Sequence, residues 1–236
     1  MRASDNSSFR DAGQDLRVKP ETVTSQTAAK IRQAISSGRF RPGERLVESN
    51  LCQLMGVSRT TIRETLRRLE AEQLVVNSPN VGPSVAVIDW KAAEQIYEVR
   101  ALLEGEAAAL CAQRVSPEIL SEIRRALEGF EQAVEQQDPE QRVHTTEAFY
   151  EAILRGCGND VLADAVTRLN ARVSLLRATS MSRSGRATES AAELRRMYSE
   201  IAKGDSEGAR TAAKEHVRSA ASAARQVFAD QSGDRP

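Results

Sequence analysis

Arg59, Arg63 and Arg67 recur every four residues behind Ser58, a residue type suited to begin a helix. On an α-helix this spacing lines the three arginines along one face, while Ile62, Leu66 and Leu69 fall on another. One face is built to pack and the other is left for an anionic partner. Guanidinium groups hold phosphate oxygens and pair in bidentate fashion with the O6/N7 edge of guanine. Threonines at a helix start, here Thr60 and Thr61, reach phosphates or base edges. The plainer reading is that the arginines only solvate an exposed helix, with Glu64 and Glu70 as partners. The surroundings weigh against it. Cys52, a small residue, stands four places before Gly56, and Ile62 stands six after it, the spacing that lets two helices pack across a tight turn. Farther on, Gly82 lies in a turn where a bare backbone can approach a minor groove or a phosphate line. The constellation is that of a helix-turn-helix aimed at double-stranded DNA.

The elements that must position these residues follow from periodicity and punctuation. A first helix carries Ala28, Ile31 and Ile35 on one face and stops at Gly38, and Arg41-Pro42-Gly43-Glu44 is a turn. A second short helix buries Val47, Leu51 and Leu54 and ends at Gly56, where a left-handed backbone is cheap. The third begins at Ser58 and runs to about Gln73. Residues 74–76 and 84–88 then read as two strands about the turn 77–83. After Asp89 the pattern becomes almost wholly helical, with helices expected over 90–114, 117–136, 139–155, 159–181, 187–203 and 206–231. Short links make these six an antiparallel bundle. The expected fold is therefore mostly α: an N-terminal winged helix-turn-helix over 21–88 and a helical effector and dimerisation domain over 89–231. A polar tail over 1–20 and a short disordered end over 232–236 flank them.

Bulk properties agree. The 236 residues are 40% hydrophobic and 28% charged, enough for two modest cores. Lys+Arg and Asp+Glu both number 33, so basic residues must be concentrated on one surface if DNA is the partner. No apolar run approaches the ~20 residues of a membrane helix, and the first twenty residues hold no signal-peptide core, so a cytoplasmic place and no membrane partner are expected. Cys52, Cys111 and Cys157 lie outside metal or disulfide spacing and read as small core residues. An enzyme is the rival class, but there is no nucleophile–histidine pairing, glycine-rich phosphate loop or metal cluster at recognisable spacing.

On these residues the chain resembles the GntR family of bacterial regulators. The stretch from Gly56 to Glu70 matches the family's most specific motif, and Gly43-Glu44-Arg45-Leu46 matches its lead-in. The helical remainder resembles the FadR-type effector domain known as FCD, in its shorter six-helix, VanR-like branch. The resemblance implies a homodimer on a palindromic operator, governed by a small metabolite, with Ser58, Arg59, Thr60, Thr61, Arg63 and the wing Gly82 at DNA-contact positions. Arg67 continues the same face. Two departures stand out: Val81 replaces a basic residue that often precedes the wing glycine, and Ser49 replaces an arginine found in some members. Both shift the burden of affinity onto the recognition helix.

Many FCD domains hold a metal through one Asp or Asn and three His. The matching positions here are Thr146, Tyr150, Leu194 and His216, so only one imidazole remains, and neither a metal nor a cofactor is expected. Arg100 matches a family arginine that points into the effector cavity, where a guanidinium suits a carboxylate or phosphate. Thr146, Tyr150, Arg172, Leu194 and His216 are its expected companions. The resulting expectation is a repressor tuned by an organic acid or acyl compound. The alternative is a constitutive DNA-binding dimer whose helical domain has lost its sensing, with Arg100 merely paired to Glu104 one turn away.

Overall fold

The computed structural model describes residues 22–79 and 81–232, the side chains of 170, 171, 231 and 232 excepted. The expected tail over 1–20, and all but residue 232 of the expected end over 232–236, lie outside that range. Among the described residues there are nine helices and one two-stranded sheet. The head consists of α1 (Val23–Ser36), α2 (Glu48–Met55), α3 (Arg59–Ala71), β1 (Val75–Ser78) and β2 (Gly82–Val85). Six further helices form the second domain: α4 (Trp90–Arg114), α5 (Pro117–Glu135), α6 (Pro139–Cys157), α7 (Asp160–Met181), α8 (Arg186–Ala202) and α9 (Ser206–Ser232).

Local chemistry sets most of these boundaries. Thr22, Ser58, Asp89, Ser116, Asp138 and Asn159 each accept a hydrogen bond from a backbone N–H in the first turn of the helix that follows. Proline opens α5 and α6, where its missing N–H costs nothing. Gly56 takes φ +65° to close α2 and so sets up the tight turn into α3.

The head buries Ile31, Ile35, Leu46, Leu51, Ile62, Leu66, Leu69 and Leu74 in one core. Its wing is an antiparallel pair in which Val75 faces Val85 and Ser78 faces Gly82. The segment before α2 lies along β2, with Leu46 N–H donating to the Pro83 carbonyl at 2.8 Å. Two expectations need correction. Of the apolar residues assigned to the inner side of α2, only Leu51 is buried; Val47 and Leu54 are 39% and 50% exposed. Eight residues turn too little helix to bury more than one row against α3. The strands are also displaced toward the hairpin tip, because β2 ends at Val85 and residues 86–88 are the descending connector to the bundle. An apolar run of that length reads equally as a strand or as a connector packed between two domains.

In the bundle, α4 packs along α9, α5 against α6, and α8 against α9. Phe130, Phe149, Ile123, Ile153, Leu194 and Met197 make its main core. Cys111 and Cys157, far apart in sequence, both lie there, and burial followed by the nearby Cys157 pushes the Cys111 thiol up to about 12. The two domains are tied through α7: Leu175 belongs to the core of the head, while Val173 and Leu176 pack with Ile96, Tyr97 and Val217 of the bundle.

Candidate nucleic-acid interface and interior binding site

Ser58 is spent on local structure. Its hydroxyl accepts from the Thr61 N–H at 3.1 Å and lies 2.9 Å from the Thr61 hydroxyl, so both residues anchor the start of α3. Arg59, Thr60, Arg63 and Arg67 are exposed along one side of that helix, opposite the buried Ile62, Leu66 and Leu69. The Arg63 Nε donates to both carboxylate oxygens of Glu48 on α2, at 3.0 and 3.1 Å. Its partner is thus Glu48, and neither Glu64 nor Glu70: Glu64 accepts from the Thr24 hydroxyl of α1. Surface pairs of this kind contribute at most about 1 kcal/mol, so a phosphate or base edge can displace Glu48 at little cost. Gly82 holds φ +86°, which leaves the wing backbone bare at its tip. A Cβ built there would lie 3.9 Å from Nη2 of Arg45. The wing therefore has a guanidinium beside its glycine after all, supplied by the lead-in segment in place of position 81. The isolated bridge between Arg45 and Ser84 brings it there, a pairing that the Gly43-Glu44-Arg45-Leu46 motif alone does not reveal.

The second site lies inside the bundle. Arg100 on α4 is 2% exposed and its Nε donates to Glu104 at 2.5 Å. Burial lowers the pKa of this guanidinium, but the adjacent Glu104 carboxylate more than compensates, so it stays charged. From α6, Tyr150 is buried, and burial together with the Glu104 charge raises its phenol pKa. From α7, Arg177 places its guanidinium carbon 5.4 Å from the centre of the Tyr150 ring. From α9, the buried His216 directs Nδ1 to Glu193 of α8 at 2.7 Å. Glu193 also accepts from Arg186 at 2.7 Å, and Arg186 is fully buried. Burial holds the His216 imidazole below its usual range, with the Arg100 and Arg186 charges adding to the effect against the opposing hydrogen bond that it makes to the Glu193 carboxylate. Burial alone would raise Glu193, but its hydrogen bonds to His216 and Arg186 bring it down instead.

The structure thus gathers Arg100, Tyr150 and His216, turns Thr146 and Leu194 to other partners, and leaves Arg172 at the rim, where it meets Tyr150 and Arg177. The Thr146 hydroxyl donates to the Arg142 carbonyl at 2.7 Å. Leu194 is fully buried in the apolar cluster that includes Phe149. Arg172 is half-buried and lines an open cleft of about 950 Å³ between head and bundle, with Arg32, Glu72, Tyr150 and Arg177. Arg177 and Arg186 take the place expected of Arg172, and the sequence pattern missed both.

The donor set does not fit the metal that the resemblance implies. Leu194 offers no lone pair, Thr146 is turned to a backbone carbonyl, and the charges of Arg100 and Arg186 act on His216. No group of three or more His, Cys, Asp or Glu among the described residues is arranged to hold an ion. The arrangement is chemically the opposite, a nest of guanidinium and hydroxyl donors suited to an oxyanion.

Comparison with known proteins bears on both sites. Residues 23–85 match the model of bacterial regulatory proteins of the gntR family, and residues 95–219 match that of the FCD domain. An uncharacterized HTH-type transcriptional regulator of Bacillus subtilis, YdhC, is 29% identical over 200 residues, covering 84% of this chain and 88% of that protein. The HTH-type transcriptional regulator McbR of Escherichia coli is 29% identical over 157 residues, covering 66% of this chain and 71% of McbR. A probable D-xylose utilization operon transcriptional repressor of Paenarthrobacter nicotinovorans is 28% identical over 202 residues, covering 85% and 88%. The solved structure of E. coli McbR/YncC superimposes with a TM-score of 0.78 at 24% identity, over 88% of this chain and 99% of that one.

Proposed function

Because the chain belongs to the GntR family of bacterial transcription regulators and carries an FCD domain, we propose that it is a repressor released from its operator by a small organic acid. In this reading a homodimer in the cytoplasm sets two heads on a palindromic site. The α3 helices enter successive major grooves and the wings lie against the flanking backbone. Arg59, Arg63 and Arg67 read or grip the DNA, with Thr60 beside them; Ser58 and Thr61 fix the helix start, and Gly82 admits the wing. An operator-bound dimer blocks polymerase without further contacts. The Paenarthrobacter nicotinovorans relative with a repressor name favours that sign, and the six-helix second domain accords with the VanR-like branch of the FadR subfamily.

The observation that carries the sensing half of this reading is the double attachment of α7. Arg177 stands beside Tyr150 in the interior cluster, and Leu175, two residues earlier, is 3% exposed in the core of the head. A ligand that draws on Arg177 bears on the helix that props the head. It shifts the separation of the two heads only by binding one arrangement better than the other. A module kept only for dimerisation has no need of a buried guanidinium cluster, since burying such charges is expensive.

The test has two steps. Selection from a random duplex library identifies the preferred site, which this reading requires to be an inverted repeat. Fluorescence anisotropy on that duplex, with and without a panel of carboxylic acids, should then show an acid that weakens binding tenfold or more. Affinity unchanged by every acid would leave the constitutive dimer as the function.

A further inference from the structure

Arg186 is the most anomalous residue in the bundle. It occupies the first position of α8, where a positive charge meets the positive end of the helix dipole, and Gly185 before it supplies no capping side chain. It is nevertheless fully buried, with only its Nη2 hydrogen-bonded, to Glu193. Its Nε and Nη1 have no hydrogen-bond partner among the described residues. Glu189 comes no nearer than 4.0 Å to Nη1, is half exposed, and is bonded to Arg183. Another orphan, the Ser190 hydroxyl, lies one turn along α8, and the Tyr150 hydroxyl, whose ring stands 6.3 Å from that of His216, has only the Glu104 carboxylate, already held by Arg100, near it. A buried N–H without an acceptor costs more than the bond would have contributed, and such costs persist where a ligand removes them.

The charges specify the ligand further. Arg100 is matched by Glu104 and Arg186 by Glu193, while Arg177 is the third guanidinium of the cluster and burial makes its charge costly. With His216 neutral, and with Glu147 beside Arg177 and Glu189 beside Arg186 both on the solvent side, three guanidiniums face two carboxylates, Glu104 and Glu193, inside the cluster. One negative charge completes it and two would overshoot.

We propose that Arg186 is the anchor for the carboxylate of a singly charged organic acid, its guanidinium held in position by Glu193 and His216, with Ser190 and Tyr150 donating to the ligand's oxygens. This rests on the organic-acid reading above and adds the residue and the charge. A fixed guanidinium here does for an anion what a metal ion does elsewhere, without a metal's ligands.

The experiment is isothermal titration of the full-length protein with lactate, gluconate, benzoate and hexanoate, each beside its uncharged amide, and with succinate as the dianion. At least one monocarboxylate should bind while its amide does not. Arg186→Lys keeps the charge beside Glu193 and preserves the fold by circular dichroism, yet should weaken that acid tenfold or more. Arg195→Gln, an exposed change on the same helix, should leave its affinity within twofold. Equal binding to wild type and R186K would overturn the anchor while sparing the organic-acid reading. Tighter binding of succinate would overturn the single charge. Failure of every acid to bind the wild type would remove both.

Discussion

In the proposed function Arg63 has two demands to meet: to stay solvated on an open helix face and to be available to a base edge. Its pairing with Glu48, with the arginine side chain 62% exposed, meets both, because the carboxylate holds the guanidinium extended and yields it readily. Arg63→Ala should therefore cost the selected operator about 1–3 kcal/mol, measured by anisotropy, and random duplex much less. Equal losses on both would make it a phosphate contact. His216 allows a second prediction. Glu193 and Arg186 on α8, Arg100 on α4 and Tyr150 on α6 surround it, and burial keeps its folded pKa below the usual 6.5. The unfolded chain then binds the extra proton first as pH falls, so stability is intact above about pH 6.5 and declines below it. Depression of Glu193 adds a further loss only at more acidic pH, under its ordinary 4.5. Melting temperatures between pH 7.5 and 5.5 should fall in the wild type and flatten in His216→Gln; parallel slopes would place the effect elsewhere. At this scale the exposed arginine face of α3 was legible in the sequence because a four-residue repeat of arginine is visible without coordinates. Arg177 and Arg186 were not, since nothing in a polar stretch such as Ser182-Arg183-Ser184-Gly185-Arg186 announces that one of its charges is buried.

Among elements, capping and close packing fix the architecture. The Ser58 hydroxyl caps α3 through Thr61, and Ser58→Ala should cost about 1 kcal/mol of stability. The associated drop in operator affinity should be no larger than that loss of helix order; a far greater one would mean that the hydroxyl itself touches DNA. Gly156 on α6 reports the packing of the bundle. A Cβ there would fall 2.7 Å from the Cys111 sulfur and 3.0 Å from Ile119, so Gly156→Ala should destabilise by about 1–3 kcal/mol in urea unfolding. No change in the midpoint would contradict the close approach of α4, α5 and α6. Helix limits were readable to within two residues wherever a Ser, Asp or Asn cap or a proline marked them, as at Ser116-Pro117 and Asp138-Pro139. The wing was read less well. Residues 84–88 alternate and branch as a strand does, yet their last three residues connect two domains, and only tertiary packing separates those cases.

For the whole molecule, the claim is that one helix ties an interior anion site to the core of the head that carries the proposed DNA face. Leu175 in the head core and Arg177 in the bundle cluster make α7 that shared part. Leu175→Ala should cost about 2–5 kcal/mol of stability, as a buried leucine does. In protein that remains folded, acid binding by titration should persist while the acid's effect on operator affinity shrinks. Loss of both together would show that α7 supports the site without transmitting its state. The most direct measurement is native mass spectrometry of the freshly purified protein beside a denatured control. The account predicts a dimer carrying a labile mass excess that matches one small organic acid per protomer. A mass excess matching one metal ion per protomer would contradict it, because the buried guanidiniums of Arg100 and Arg186 beside His216 repel a cation there.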